Sequence, residues 1–234
     1  MASMTLSELR LRARQRADME NSNFVDDDEF NYYVNSALQE LHDILIQSYG
    51  EDYYTTSVTF TTTGGTDSYD LSTIIPAGNF YKMRGVDAQL NGDDYFTLHR
   101  FNFNERNRFQ NFGVWDYVGI TNVRYNIIGS TLKFSPAPDS AISVRLWYIP
   151  NFTKLTLDAD TFDDINGYSD YVVASAARRA MLKEESNTSA LDNEILFLKT
   201  RIEEASKNRD AGNSESIRDI YIENSDFFYG RTRS

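Results

Sequence analysis

The chain contains no cysteine, which excludes disulfide staples, thiolate nucleophiles and thiolate metal ligands together. This fits folding in a reducing cytoplasm. Histidine is almost as scarce, with only His42 and His99. His42 falls on the polar flank of a predicted helix and His99 at the end of a predicted strand. Neither has a serine or carboxylate at a catalytic spacing, so both read as accidental surface or boundary residues. No G-x-S-x-G, P-loop, G-x-G-x-x-G or H-E-x-x-H pattern occurs, and no catalytic residue, metal ligand or cofactor is expected. No stretch approaches the roughly 20 apolar residues of a membrane span, and Met1–Glu20 is too charged to be a signal peptide. Positive charge is also in deficit. With 35 acidic against 23 basic residues, the net charge of -12 disfavours binding to nucleic acid or anionic membranes. Such a surface remains compatible with a channel through which DNA slides without sticking.

What is present is enough for a packed core: 41% hydrophobic and 14% aromatic residues over 234 positions, suited to one domain with a large insertion or two small ones. Thr5 and Glu8 form a capping box at a helix start, followed at helical spacing by Leu6, Leu9, Ala13 and Ala17. Arg10, Arg12, Arg14 and Arg16 occupy two flanks of this helix and read as a solvated, salt-bridged surface. Asp26, Asp27, Asp28 and Glu29 supply partners and open a second helix, where acidic residues suit the exposed N–H groups. Its apolar positions, from Phe30, Tyr33 and Val34 to Ile44 and Leu45, repeat at i, i+3, i+4 and i+7 up to Gly50. Two more helices are predicted late in the chain. One runs from about Tyr171 to Glu185 and is rich in alanine. The other carries Leu191, Ile195, Leu198, Ile202 and Ala205 and ends near Ala211. Single amphipathic helices are marginal alone, so the four imply a bundle closed between the chain ends.

The middle reads as short strands. Val58 and Phe60 lead to a Gly64-Gly65 turn with Tyr69 and Leu71 returning, and Phe80–Leu90 enters Asn91-Gly92 with Tyr95–His99 returning. Val123–Ile128 and Leu132–Phe134 flank Gly129-Ser130, and a last strand with Ile142, Val144, Leu146, Tyr148 and Ile149 stops at Pro150. Within it, Trp147 looks like core. The pattern suggests a small antiparallel sandwich or barrel. Phe101, Phe103, Phe109 and Phe112 lie in a stretch that fits no strand, either covering the sheet or meeting a neighbour. Asp158, Asp160, Asp163 and Asp164 precede Asn166-Gly167, but Phe162 and Asp163 stand where a calcium loop needs an oxygen ligand and glycine. This segment reads as a solvated linker that caps the third helix.

The fold expected is therefore α+β: residues 1–52 and 156–211 form a helical bundle, 53–155 an inserted β domain, and 212–234 an extended C-terminal arm. The arm carries Ile217, Ile220, Tyr221, Ile222, Phe227, Phe228 and Tyr229, then Arg231 and Arg233. Disordered tails generally lack such residues; this one should bury against its own bundle or a partner.

The N-terminal block, Thr5-Leu-Ser-Glu-Leu-Arg through Arg16-Ala-Asp, Phe24-Val-Asp26, Phe30–Asn35 and Leu38-Gln-Glu-Leu41, resembles head-to-tail connector proteins of tailed bacteriophages. Tyr49–Tyr54, Phe80–Met83, Phe101–Arg106 and the order of elements are similar too. The resemblance implies an adaptor ring, usually of about twelve copies, beneath the portal vertex in the neck of the virion. Its partners would be the portal, a tail or nozzle protein, and other copies of itself. DNA would pass without specific binding, and synthesis would be in the host bacterial cytoplasm. It assigns the portal contact to Ile217, Ile220, Tyr221, Ile222, Phe227, Phe228, Tyr229, Arg231 and Arg233. The alternative is a tail-associated carbohydrate- or receptor-binding module on the aromatic β region, which predicts Trp and Tyr clustered on one sheet face. A glycan-cleaving enzyme would need a concave site with perturbed carboxylates.

Overall fold

The computed structural model describes residues 3–50, 52–91, 94–107, 123–164 and 166–207. The chain starts as a short strand, β1 (Ser3–Thr5), and turns into α1 (Leu6–Arg16) through the expected capping box. The Thr5 amide donates to Glu8 Oε2 at 2.8 Å, and the Glu8 amide to Thr5 Oγ1 at 3.2 Å. The long helix α2 (Asp27–Tyr49) begins where Asp26 accepts the Glu29 amide at 2.8 Å and ends at Gly50, whose φ of 75° suits glycine. Late in the chain come α4 (Ser169–Lys183) and α5 (Ser189–Lys207). The predicted continuation of α5 to Ala211 lies outside the described residues.

Helices from the two ends of the sequence share one hydrophobic core. Leu6 and Leu9 of α1 join Phe30, Val34 and Leu41 of α2 and Leu198 and Ile202 of α5. Ala174, Ala176, Ala177 and Ala180 are buried along α4, and their small side chains permit close backbone approach to α1 and α2.

The middle of the chain forms a second core from two four-stranded sheets. One has the order β2 (Thr56–Thr61), β9 (Ser143–Ile149), β4 (Lys82–Asn91), β5 (Asp94–Thr97) and is antiparallel throughout. The other has the order β3 (Ser68–Asp70), β8 (Thr131–Ser135), β7 (Arg124–Ile128), β6 (His99–Arg100), with a parallel β6–β7 edge. Val86, Val144 and Leu146 from the first share a cluster with Leu132 and Phe134 from the second. The β7–β8 hairpin turns at Gly129 and Ser130 as expected, with Gly129 at φ 63°. The architecture is mixed α+β, and no closed barrel forms among the described residues.

Several expectations need correction. Gly64-Gly65 does not close a β2–β3 hairpin: β2 pairs with β9 and β3 with β8, in different sheets. The glycine pair instead meets the segment around 138–140, where Gly65 donates to the Pro138 carbonyl at 2.6 Å. A Cβ on Gly64 would stand 2.7 Å from the Asp139 carbonyl oxygen. Leu71 is not a strand residue but opens a short helix, α3 (Leu71–Ile74). The predicted Tyr95–His99 strand is broken at Leu98, so that His99 joins the other sheet. Trp147 is not core: alternation buries Val144, Leu146 and Tyr148 and turns Trp147 to the opposite face, half-buried. The stretch after β6 divides, with Phe101 buried and Phe103 55% exposed, while Phe109 and Phe112 lie outside the described residues. A strand appears where a linker was expected, because β10 (Thr161–Asp163) pairs with β1.

Candidate assembly interfaces

Three of the four α1 arginines, Arg10, Arg14 and Arg16, hold the fold, while Arg12 is exposed. Arg10 bonds Asp158 Oδ1 at 2.9 Å and Asn31 Oδ1 at 3.0 Å, clasping the return from the β region. Arg14 donates to the Val25 carbonyl and to Asp27 Oδ1, both at 2.8 Å, with its guanidinium 4.3 Å from the centre of the Phe30 ring. Arg16 pairs with Glu194 of α5. Asp27 is thus one of the partners foreseen in the acidic run, whereas Asp158 and Glu194 were not. Charge-assisted bonds of the largely buried Arg10 and Arg14 are stronger than surface pairs such as that of exposed Arg16, and the three tie α1 to α2, to α5 and to the segment after β9.

Three of the aspartates before α4, Asp158, Asp160 and Asp164, have separate partners. Asp158 faces Arg10, Asp160 accepts the Thr156 and Leu157 amides at 2.7 and 2.8 Å, and Asp164 accepts the Ser169 amide at 2.9 Å at the start of α4. The two amides on Asp160 hold its carboxyl below the ordinary carboxylate range. Among the described residues, no group of three or more His, Asp or Glu side chains could hold a metal ion. No helix among them is long and apolar enough to cross a membrane.

A large concavity among the described residues lies where the helical core meets the exits of the β region. It has a volume of about 970 Å3, with Leu38, Leu41 and Leu45 of α2 in its lining. His42 belongs here and not on a polar flank. It is only 7% exposed, stacks on Tyr54 with ring centres 4.7 Å apart, and meets Tyr81 edge-on at 6.1 Å. Burial lowers its pKa, against the pull of Asp43 and of the Pro150 carbonyl, which accepts a hydrogen bond from the imidazole. At the other end the hydroxyls of Tyr49 and Tyr168 are hydrogen-bonded, and burial raises the Tyr168 pKa. Arg201 and Ala205 of α5 complete this side, Arg201 donating to the Asn166 carbonyl at 3.4 Å.

Two other surfaces stand out. On α5, Leu191, Leu198 and Ile202 are buried, leaving Leu196 and Phe197 64% and 69% exposed. Exposed neighbours of this size suit contact with another chain. On the outer face of the first sheet, the Arg145 guanidinium lies 4.0 Å from the centre of the Tyr95 ring and 5.9 Å from that of Trp147. Trp147 Nε1 donates to Asp87 at 2.6 Å. A Trp and a Tyr therefore do share this face, but Arg145 occupies the ring of Tyr95 and Asp87 holds the indole N–H. His99 is exposed at the edge of the second sheet.

Ile217, Ile220, Tyr221, Ile222, Phe227, Phe228, Tyr229, Arg231 and Arg233 lie outside the described residues. Sequence reasoning missed the cavity, and it missed the α5 surface. The latter was readable, since Leu196 and Phe197 fall off the 191-195-198-202 seam. The former needed the returns at Tyr53-Tyr54 and Pro150–Phe152, which no local pattern encodes.

Comparison with curated proteins gives no match. The family of SU10 adaptor proteins does match, over residues 4–218, from β1 through all the helices and strands described above and into the C-terminal segment. The chain belongs to the SU10 adaptor protein family and is a phage adaptor protein.

Proposed function

We propose that this protein is a non-catalytic structural subunit of an adaptor ring, of about twelve copies, joining the portal of the capsid to the tail. The observation that carries the reading is the family match over residues 4–218. In this reading the helices act as a bundle in the ring wall, and the inserted β region, a sandwich of its two sheets, meets neighbouring copies or the tail protein. The arm from 212 to 234 reaches the portal, with Phe227, Phe228 and Tyr229 as buried anchors. Exposed Leu196 and Phe197 supply an apolar contact for ring closure. The net charge of -12 suits a neck whose channel must release passing DNA. The protein would be made in the host bacterial cytoplasm and end in the neck of the virion.

The aromatic sheet face supports a carbohydrate- or receptor-binding module less well. Sugar stacking needs open ring faces, and Arg145 lies over Tyr95.

Electron microscopy of purified portal rings mixed with the chain tests the proposal. It predicts a closed ring of the chain on one end of the portal, with one adaptor per portal subunit. Scattered single copies, or decoration of the portal's side, would contradict it.

A further inference from the structure

The cavity beside His42 is much larger than the gaps a packed interior leaves between its own side chains. Its volume of about 970 Å3 falls within the roughly 300–1,000 Å3 of sites that bury a ligand of several rings. Its walls carry His42, Tyr54 and Phe152 at one end and the Tyr49–Tyr168 pair at the other. Such a lining favours aromatic guests, whose edges and faces match rings 4.5–7 Å away. Asn79, Asn151 and Asn166 also line it, and side-chain amides can bond the backbone of an extended peptide.

We propose that this cavity is the holding site for the chain's own C-terminal segment, with Phe227, Phe228 and Tyr229 seated in it until the portal takes them. The inference rests on the reading of the arm as the portal anchor. Its physical ground is where the described chain ends. Ala205 and Arg201, in the last turns of α5, line the cavity, and the described chain ends at Lys207. About 20 residues then precede Phe227, whose maximum reach of roughly 60 Å is ample to span back to the rim. Closing such a loop costs little, because its entropy grows only with the logarithm of length. A segment tethered at the rim has an effective concentration in the millimolar range, far above that of a second copy at micromolar protein. Asp226 directly precedes the aromatic triplet, and the Arg201 guanidinium at the cavity edge would receive its carboxylate. Sheltering the triplet would also keep free subunits from associating through it before a portal is present.

The absence of native cysteine makes a clean test possible in the full-length chain. Asn151→Cys at the cavity, combined with Gly230→Cys beside the triplet, should oxidise to a disulfide within one chain, seen as a faster monomer band on a non-reducing gel. In parallel, a variant with Phe227→Ala, Phe228→Ala and Tyr229→Ala should exchange amide hydrogens at 41–45 and 151–153 about tenfold faster. Disulfides that join two chains would overturn the proposal in favour of a neighbour's segment. Exchange identical to that of the unaltered chain would overturn it outright. The oxidised pair should bind portal rings more weakly and recover on reduction. A disulfide that forms but leaves portal binding unchanged would preserve the holding site and remove the anchor role. Failure of the disulfide, with portal binding still lost on shortening the tail, would do the reverse.

Discussion

The side-chain amide of Asn35 forms two hydrogen bonds with the backbone of Leu155, donating to its carbonyl at 2.9 Å and accepting its N–H at 2.8 Å. Asn35 sits on α2, and Leu155 on the segment that returns from β9 towards α4. A side chain thus acts as strand partner to an otherwise irregular segment. With Arg10 on Asp158, it fixes how the β region re-enters the helices.

Asn35→Ala would leave both backbone groups of Leu155 without these partners at a half-buried site. The expected cost is about 1–3 kcal/mol in urea unfolding. Asn35→Asp keeps the acceptor and loses the donor, so it should fall between the two. A loss below 0.5 kcal/mol in Asn35→Ala would show that water replaces the amide freely.

Gly64→Ala should destabilise by about 1–3 kcal/mol, because the added Cβ would meet the Asp139 carbonyl oxygen at 2.7 Å. The opposing atom is backbone and cannot rotate aside. Unfolding midpoints of this variant, compared with the unaltered chain, measure the effect. An unchanged midpoint would mean that the 64–65 and 138–140 segments shift apart at no cost.

His42 gives stability a pH dependence of known sign. Its folded pKa lies below the unfolded value of about 6.5, because burial disfavours the imidazolium. The unfolded chain therefore binds the proton first. The contribution of neutral His42 is fully present above pH of about 6.5 and is lost as pH falls through the window beneath it. His42→Phe keeps a ring against Tyr54 and removes the titration. The stability of the unaltered chain minus that of the variant should fall as pH is lowered from about 7.5 to 5.5. Carboxylates common to both cancel in that comparison. A difference that stays constant with pH would contradict the assignment.

Phe197→Glu combined with Leu196→Glu should leave the isolated chain within about 0.5 kcal/mol of its stability, since both side chains are exposed. The same pair should prevent ring closure on the portal if α5 faces a neighbour. Rings that form normally, seen by electron microscopy, would move the lateral contact elsewhere.

Much of the fold could be read from local signals. The periodicity of α2, the Thr5–Glu8 box and the Gly129-Ser130 turn each encode their geometry within a few residues. The failures have physical causes. β6 and β10 span only His99–Arg100 and Thr161–Asp163, too short for any alternation to register. Gly64-Gly65 has the composition of a hairpin turn, but its partner lies more than 70 positions on, at Asp139. His42 is buried because Tyr54, Tyr81 and Phe152 arrive from three other segments. Trp147 is different: alternation with buried Leu146 and Tyr148 already placed it on the other face. As for the site, the arm residues stood out by composition, whereas the cavity exists only once the two chain ends have met.

The most direct test of the account is a pulldown of purified portal rings with the full-length chain and with one ending at Gly212, with circular dichroism confirming that the shortened chain stays helical. The account predicts that the full-length chain binds and the shortened one does not. Equal binding by both would place the portal contact on the helices and contradict the anchor role of Phe227, Phe228 and Tyr229.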